Sequence, residues 1–261
     1  MFLKHFSLND HPFIENPPVD WLLRDPRIQE AMARLSFFLQ QADIALIIGQ
    51  TGVGKSSLIK ILLNEIPQNQ FHPLYFHLTP LNANAFLRMI VFQLGEKPKM
   101  GKDRLLLQIL DKIQQNEKTS LFIIDEAHLI DPQVLTDLRV LISSLAKPSL
   151  KILLCGQEGL SIILKRSAHT DLVHRITVKV FLKTLSKDQT APYIDNRIHR
   201  AGGNQKLFDP EAKALIHDYT GGLPRQINNV ASACLIHAAS LNQKRITESI
   251  VTQTMSEFHL P

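Results

Sequence analysis

An apolar run that ends in a glycine-rich loop constrains the fold more than any other stretch. Residues 44–48 are Ile-Ala-Leu-Ile-Ile, residues 49–56 are Gly-Gln-Thr-Gly-Val-Gly-Lys-Ser, and a helical apolar pattern follows over 58–63. A strand, a tight loop and a helix N-terminus in this order are typical of a P-loop, in which backbone N–H groups and the positive helix end face phosphates. The predicted nucleotide-binding residues are Gly49, Gln50, Thr51, Gly52, Val53, Gly54, Lys55, Ser56 and Ser57.

Within that loop two residues have separate chemical tasks. Lys55 is expected to reach the β- and γ-phosphates, and the Ser56 hydroxyl is expected to ligate Mg²⁺. About seventy residues further on, the apolar run 121–124 ends in Asp125 and Glu126. At the carboxyl end of a buried strand, Asp125 would hold Mg²⁺ through its water shell and Glu126 would polarise the attacking water. Without the upstream loop, this pair would be only a weak signal for a nucleotide site, because the end of a strand would also explain it. His128 completes Asp-Glu-Ala-His, a string also found in helicases, but no other helicase motif is evident.

Composition excludes several classes of protein. Hydrophobic residues make up 44% and charged residues 20% of 261 residues, which is ordinary for a globular chain. The longest apolar runs have the length of strands, so we expect no membrane span. Cys155 and Cys234 have no zinc-like spacing, and as free thiols they fit a reducing cytoplasm. The net charge of +5 favours a polyanionic partner without proving one.

The order of the elements predicts an α/β fold, with a parallel sheet between helices, followed by a small all-helical domain. Residues 1–25 are predicted to be an extended arm, because their proline content disfavours a helix. The aromatic side chains of this arm are expected to pack on the domain. Buried-looking strands alternate with helices over 26–185, which indicates a parallel sheet covered on both faces. From 186 to 261 only helical segments follow, separated by glycine pairs.

Three further polar residues are candidates for phosphate contacts. Gln157 stands at the tip of a strand, where it would reach the γ-phosphate or the attacking water, or simply face solvent. Arg175 is a lone basic residue after a helical segment. Arg225 opens a helix, where the dipole disfavours a cation; a phosphate partner explains this placement, and so does solvent exposure.

Taken together, these motifs resemble the AAA+ ATPases of the ExeA type and their transposition relatives TniB and TnsC. The resemblance covers nearly the whole chain and includes Phe6 to Phe13, Gly49 to Ser56, Ile123 to His128, Leu154 to Gln157, His199 to Gly203 and Gly221 to Asn228. It implies a P-loop AAA+ fold with a helical lid, and ATP and Mg²⁺ bound at the interface of a homo-oligomer, either a ring or a filament. By the same resemblance, Gln157 corresponds to sensor 1, Arg225 to sensor 2 and Arg175 to an arginine finger acting in trans.

The sequence leaves the target of this motor open between three hypotheses. The favoured one is a regulator of DNA transposition that assembles on duplex DNA with ATP, recruits a transposase and a target-selection protein, and disassembles on hydrolysis. The alternatives are an ATPase of a secretion or envelope-assembly system acting on proteins, and a loader-like ATPase. The basic pI, the absence of an evident membrane span and the end of the chain after the lid favour the first. The candidate DNA contacts, equally explained as a solvated loop, are Lys97, Lys99, Lys102 and Arg104.

Overall fold

The computed structural model describes residues 2–77 and 81–257. Its contacts divide the chain into two compact units, which we call the sheet unit and the helical unit. The sheet unit comprises Ile28–Thr51 and Leu58–Leu182. The helical unit comprises the described parts of Met1–Arg27, Gly52–Ser57 and Lys183–Pro261. The glycine-rich loop residues 52–57 therefore group with the helical unit, although they follow a strand of the sheet unit directly in sequence.

The secondary-structure elements alternate as the sequence pattern predicts. The strands are β1 (Ile44–Ile48), β2 (Phe71–His77), β3 (Thr119–Asp125), β4 (Leu150–Gly156) and β5 (Ile176–Phe181). The helices are α1 (Phe2–His5), α2 (Pro26–Gln41), α3 (Lys55–Glu65), α4 (Ala83–Gln93), α5 (Lys102–Gln115), α6 (Pro132–Ser144), α7 (Glu158–Leu164), α8 (Thr170–His174), α9 (Lys187–Arg200), α10 (Pro210–Thr220), α11 (Pro224–Ser240) and α12 (Glu248–Glu257). Short 3-10 helices lie at Val19–Trp21, Ala127–Leu129, Ser167–His169 and Gln205–Leu207.

The sheet unit contains a five-stranded parallel sheet in the order β2-β3-β4-β1-β5. All residues of β1 and β4 are buried, as expected when both faces of a parallel sheet are covered. Pairing of Ile48 with Gly156 brings the carboxyl ends of β1 and β4 side by side, and β3 lies next to β4. The residues that follow these three strands therefore share one edge of the sheet, which is where open α/β sheets bind ligands.

Capping and apolar spacing explain where α4 begins and which face of α5 is buried. The side chain of Asn82 accepts a hydrogen bond from the backbone N–H of Ala85 and so caps the start of α4. In α5, Leu105, Ile109 and Ile113 recur every four residues and are fully buried in the core of the unit. The opposite face of α5 is mostly polar, with Leu107 as an exposed apolar side chain, so this helix has one face in the core and one in solvent.

The helical unit has its own core, to which the N-terminal segment contributes. Phe6, Leu8 and Phe13 are buried among side chains of α9 to α12. The backbone of the segment is fixed as well: Asn9 donates its N–H to the carbonyl of Ala201 at 2.8 Å. Packing of these side chains, rather than regular secondary structure, fixes most of this segment.

The α/β fold with a helical C-terminal region is confirmed. The sequence interpretation missed β5, an edge strand in which buried and exposed residues alternate. Residues 2–5 form a short helix where an extended chain was expected. Leu78, predicted as the end of β2, lies outside the described residues. The domain bounds at 25 and 185 stay predictions.

Candidate nucleotide site

Asp125 ends β3 in a buried position with a defined set of hydrogen bonds. Its side chain is 1% exposed, and its Oδ2 accepts a hydrogen bond of 2.7 Å from the Tyr75 hydroxyl on the neighbouring strand β2. Its Oδ1 accepts the backbone N–H of Glu126 at 2.9 Å. Burial, followed by the hydrogen bond to this carboxylate, raises the pKa of Tyr75 above its usual value, so the tyrosine stays a proton donor. Asp125 is thus an oriented carboxylate at the ligand-binding edge.

Glu126 leaves the direction of the strand because its backbone is left-handed, with φ at 54°. For a residue with a Cβ this conformation costs about 1–2 kcal/mol, which the surrounding contacts offset. The residue opens the 3-10 helix Ala127–Leu129, and its side chain is 25% exposed. The two neighbouring carboxylates therefore differ: Asp125 is buried and hydrogen-bonded, whereas Glu126 is accessible to solvent.

His128 connects Glu126 to Gln157. Its Nδ1 lies 3.3 Å from Oε2 of Glu126, and its Nε2 lies 3.0 Å from the side-chain nitrogen of Gln157. Because an amide nitrogen only donates, Nε2 of a neutral ring accepts this bond and the ring proton is on Nδ1, facing the carboxylate. Nδ1 is buried, and within the described residues it has no partner of good hydrogen-bond geometry. We call this group the Glu-His-Gln chain.

Gly156, the last residue of β4, allows the Glu-His-Gln chain to form. A Cβ at this position would lie 3.1 Å from the backbone nitrogen of His128 and 3.1 Å from the Leu160 side chain. The glycine thus permits close approach of the segment after β3 to the end of β4. Its carbonyl accepts the N–H of Gly49, the first residue of the glycine-rich loop, at 3.2 Å.

The glycine-rich loop has the backbone that phosphate binding requires. Gly52 and Gly54 have φ values of 82° and 110°, a region that residues with a Cβ rarely adopt. Lys55 is the first residue of α3 and is 5% exposed. Ser56 follows on the first turn of this helix, where N–H groups lack intrahelical partners. These features suit an anion at the start of α3.

The start of α11 lies against this loop within the helical unit. The N–H of Arg225 donates to the carbonyl of Gly52 at 3.2 Å, and a Cβ on Gly52 would lie only 2.7 Å from the Arg225 Cβ. The guanidinium group of Arg225 forms an ion pair with Glu15 at 3.1 Å, with the two side chains 51% and 80% exposed. The backbone of Arg225 is therefore fixed beside the loop, whereas its charged group lies at the surface in a weak pair.

The other predicted arginine, Arg175, immediately precedes β5. It is exposed, and its Nη2 donates to the Ser143 hydroxyl at 3.3 Å. Such a position makes the guanidinium group accessible to a neighbouring molecule. The structure places Arg175 in the sheet unit and Arg225 in the helical unit.

The predicted DNA-binding residues divide into two groups. Lys97, Lys99 and Arg104 are exposed. Lys102 forms an ion pair of 2.7 Å with Asp137, whose side chain is 4% exposed. Lys102 is thus engaged in neutralising a buried carboxylate, which leaves the three exposed cations as candidates for an external partner.

The residues predicted to bind magnesium are of suitable chemical types. The hydroxyl of a serine such as Ser56 and the carboxylate of an aspartate such as Asp125 are hard oxygen ligands, and Mg²⁺ is commonly bound by one or two protein oxygens together with phosphates and water. Residues 2–77 and 81–257 contain no group of three or more His, Cys, Asp or Glu side chains arranged to hold a metal. Over the same residues, no helix is long and apolar enough to cross a membrane.

Sequence reasoning found the polar residues at the strand ends but not the contacts between them. Tyr75 was missed, since a tyrosine in a strand is more often a packing residue. His128 was noted only as part of a tetrapeptide; its position two residues after Glu126 was the available signal. Its contact with Gln157 joins residues 29 positions apart and depends on the pairing of β3 with β4.

Comparison with protein families finds a match that covers most of the sheet unit. Residues 39–164 match the family model described as AAA domain. A search of curated proteins finds the general secretion pathway protein A of Aeromonas hydrophila, 30% identical over 261 residues. The match covers 97% of this chain and 47% of the relative, so the chain spans about half the length of that protein. Residues 39–164 are therefore similar to an AAA domain, and the chain as a whole is similar to about half of a secretion-pathway protein.

Solved structures share the fold at low sequence identity. The Aeropyrum pernix ORC1 protein in complex with DNA matches with a TM-score of 0.70 and 15% identity, covering 95% of this chain and 68% of that one. The Aeropyrum pernix ORC2 protein in ADPNP–ADP complexes matches with a TM-score of 0.72 and 18% identity, covering 95% and 72%. The fold is that of the P-loop AAA+ proteins.

Proposed function

We propose that this protein binds and hydrolyses ATP with Mg²⁺ and that hydrolysis controls its assembly with partners. Residues 49–57 bind the phosphates through backbone N–H groups, and Lys55 pairs with the β- and γ-phosphates. Ser56 and Asp125 are the magnesium-binding residues, Asp125 acting through water and oriented by Tyr75. The ion, when bound, neutralises charge on the phosphates.

The Glu-His-Gln chain is the observation that carries the proposal. Glu126 takes the proton of the attacking water, which requires an ionised carboxylate held in one orientation. Nδ1 of His128 lies 3.3 Å from Oε2 of Glu126, close enough for its N–H dipole to stabilise this charge. Gln157 orients the imidazole through Nε2. Reorientation of the Gln157 amide towards the γ-phosphate would alter its bond to His128, so the base responds to the presence of the phosphate.

Two arginines complete the site in an oligomer. The exposed guanidinium group of Arg175 reaches the γ-phosphate of a neighbouring subunit, where it neutralises charge on the transferring phosphoryl group. Arg225 contacts the nucleotide of its own subunit. Its pair with Glu15 is exposed and therefore worth little, so a phosphate competes for the arginine effectively.

Replacing the base tests the hydrolytic function most directly. Glu126→Gln keeps the size of the side chain but removes the proton acceptor, so we expect kcat to fall by roughly 10²–10⁴-fold. Binding of a fluorescent ATP analogue should be unchanged. Glu158→Gln, an equivalent change at an exposed carboxylate next to Gln157, is the matched control and should hydrolyse ATP normally. Equal rates in the two variants would eliminate Glu126 as the base.

The favoured biological role is regulation of DNA transposition. In this role the ATP-bound oligomer, a ring or a filament, assembles on duplex DNA, recruits a transposase and a target-selection protein, and is released on hydrolysis. Support comes from the net charge of +5, the exposed Lys97, Lys99 and Arg104, and the shared fold with an ORC1 protein in complex with DNA. Two buried free cysteines suit the reducing cytoplasm in which such a protein would act.

A second role is favoured by one specific observation. The 30% identity with the general secretion pathway protein A extends over 97% of this chain, which supports an ATPase that acts on protein partners of an envelope system. Co-sedimentation with random-sequence duplex DNA in ATP, ADP and a non-hydrolysable analogue distinguishes the roles. ATP-dependent, salt-sensitive pelleting would support transposition. Intact ATP binding without DNA binding in any nucleotide state would support the secretion role.

A further inference from the structure

A basic pocket lies on the helical unit and is lined by none of the residues assigned to the nucleotide site. Its volume is about 550 Å³. Its cationic side chains are Lys206, Lys244 and Arg245, and His5 and Ser7 of the N-terminal segment form part of its wall. None of the described residues that line it carries a carboxylate. The sequence analysis did not select this site, because its cations come from two separated segments.

The charges of the basic pocket are only partly compensated. Arg245 forms an ion pair with Asp209. Lys244 donates from Nζ to the carbonyl oxygen of His5 at 3.0 Å, which uses one of its three protons and neutralises no charge. Lys206 is exposed, and within the described residues it forms no ion pair. Two ammonium charges thus face the pocket without a carboxylate partner.

The wall of the pocket is fixed by contacts between the N-terminal segment and the turn before α12. The ring nitrogen Nε2 of His5 is 2.6 Å from the carbonyl oxygen of Gln243, opposite in direction to the bond from Lys244. Beneath, Phe6 and Leu207 are buried and form an apolar floor. Ser7 has a φ of 55°, an unfavourable backbone for serine that these contacts maintain. The cations are therefore presented from a defined surface.

We propose that the basic pocket is a contact site for the phosphodiester backbone of duplex DNA. Phosphate oxygens supply the negative charge that Lys206 and Lys244 lack, and both side chains keep ammonium protons to donate. Phosphate oxygens are the same at every base pair, so a contact made by the ammonium groups of Lys206 and Lys244 carries no sequence information. The inference rests on the DNA-binding part of the proposed function and places that contact on the helical unit.

Two double substitutions with the same change in charge provide the test. Lys206→Gln with Lys244→Gln removes two charges from the pocket, and Lys118→Gln with Lys147→Gln removes two charges from exposed lysines of the sheet unit that are not candidate DNA contacts. Both lower the net charge equally, so long-range attraction for DNA changes by a similar amount in each. Lys206→Arg with Lys244→Arg keeps the charge in the pocket. None of these residues belongs to the proposed nucleotide site, so basal ATP hydrolysis should be unchanged and reports on folding.

Affinity for a fluorescent random-sequence duplex is measured from about 50 to 200 mM salt in the presence of the ATP analogue. Each phosphate contact contributes about 0.9 to the slope of log affinity against log salt, so the pocket variant should lose roughly 1.8 from this slope. The arginine variant and the sheet-unit variant should keep the wild-type slope. A normal slope for the pocket variant, with DNA binding by the wild type, overturns the pocket but leaves DNA binding intact. Absence of binding by the wild type overturns both.

Discussion

The polar side chains at the carboxyl-terminal edge of the sheet, which include the Glu-His-Gln chain, are paired with protein groups, whereas the lysines of the basic pocket have no carboxylate partner among the described residues. At the edge of the sheet, Asp125 is 1% exposed and each polar group contacts another protein group at 2.7 to 3.3 Å. In the basic pocket, the two lysines are exposed and unpaired with carboxylates among the described residues. At the edge of the sheet, the contacts fix the positions of the polar atoms. In the basic pocket, the lysines mainly add positive charge to the surface.

This difference has consequences for mutations. Phosphoryl transfer depends on position and orientation, so small displacements at the nucleotide site are expected to reduce activity strongly. Binding of a phosphodiester backbone depends on the number of cations and on salt, and flexible lysine side chains tolerate displacement. Exchange of one cation for another should therefore be harmless in the pocket. Addition of a single methyl group should be harmful in the glycine-rich loop.

Among variants that keep the proposed base Glu126, the largest effect is expected for Gly52→Ala. The new Cβ would lie 2.7 Å from the Cβ of Arg225, which is attached directly to the backbone and cannot rotate away. Displacement of the loop should lower kcat/KM for ATP by about 100-fold. Gly95→Ala is the matched control: its φ is 81° against 82° at Gly52, but nothing lies within 4 Å of the added Cβ.

Comparison of the two alanine variants separates backbone strain from steric contact. Backbone strain should cost each variant about 1–2 kcal/mol of the free energy of unfolding in urea denaturation, and Gly52→Ala should lose more because of its contact with Arg225. Only Gly52→Ala should lose affinity in a titration with a fluorescent ATP analogue. If Gly52→Ala binds and hydrolyses ATP normally, the position of this loop is less restricted than the contact with Arg225 implies.

A smaller effect is expected for His128→Ala, which interrupts the Glu-His-Gln chain. Residues that orient a catalytic group typically contribute about 10–100-fold, and we expect a loss in kcat within this range without weaker ATP binding. His77→Ala is the control, since its ring lies 4.0 Å from Asp125 but is 63% exposed. An exposed pair of this kind contributes little, so the control should retain nearly full activity.

The contacts within the Glu-His-Gln chain also predict how the effects of two mutations combine. If Gln157 acts on Glu126 through His128, then the double variant His128→Ala with Gln157→Ala should be little worse than the more damaged single variant. Additive losses would mean that His128 and Gln157 act independently of each other.

The sequence predicted the strand ends and the loop because each is a local pattern. Gly49 to Ser57 and the pair Asp125 and Glu126 depend on residues adjacent in the chain. The Glu-His-Gln chain depends on strand order, because β3 and β4 must be neighbours before His128 meets Gln157. The basic pocket depends on contacts between residues 5 and 244, which no local pattern encodes. β5 was missed because its alternation of buried and exposed residues is weaker than the continuous apolar runs of the central strands.

Lys151 is a buried lysine whose position is fixed by contacts with protein groups, like the polar groups at the edge of the sheet. Its substitution is expected to have the smallest effect on the protein. This residue of β4 is 7% exposed, and its Nζ donates to the carbonyl oxygens of Phe38 and Ala42 at 3.2 and 2.6 Å. Burial lowers the pKa of Lys151 below its usual value, and the nearby carboxylate of Asp43 opposes this effect. In the unfolded chain the lysine has its ordinary pKa, so unfolding takes up a proton in the range below about 10.5.

The free energy of unfolding due to Lys151 should therefore increase as pH rises through that range, because the unfolded state binds more protons there. Urea denaturation of the wild type and of Lys151→Met between about pH 7 and 10 isolates this contribution as a difference. The advantage of the wild type over the variant should grow with pH. A pH-independent difference between the wild type and Lys151→Met would mean that burial does not lower the pKa of Lys151.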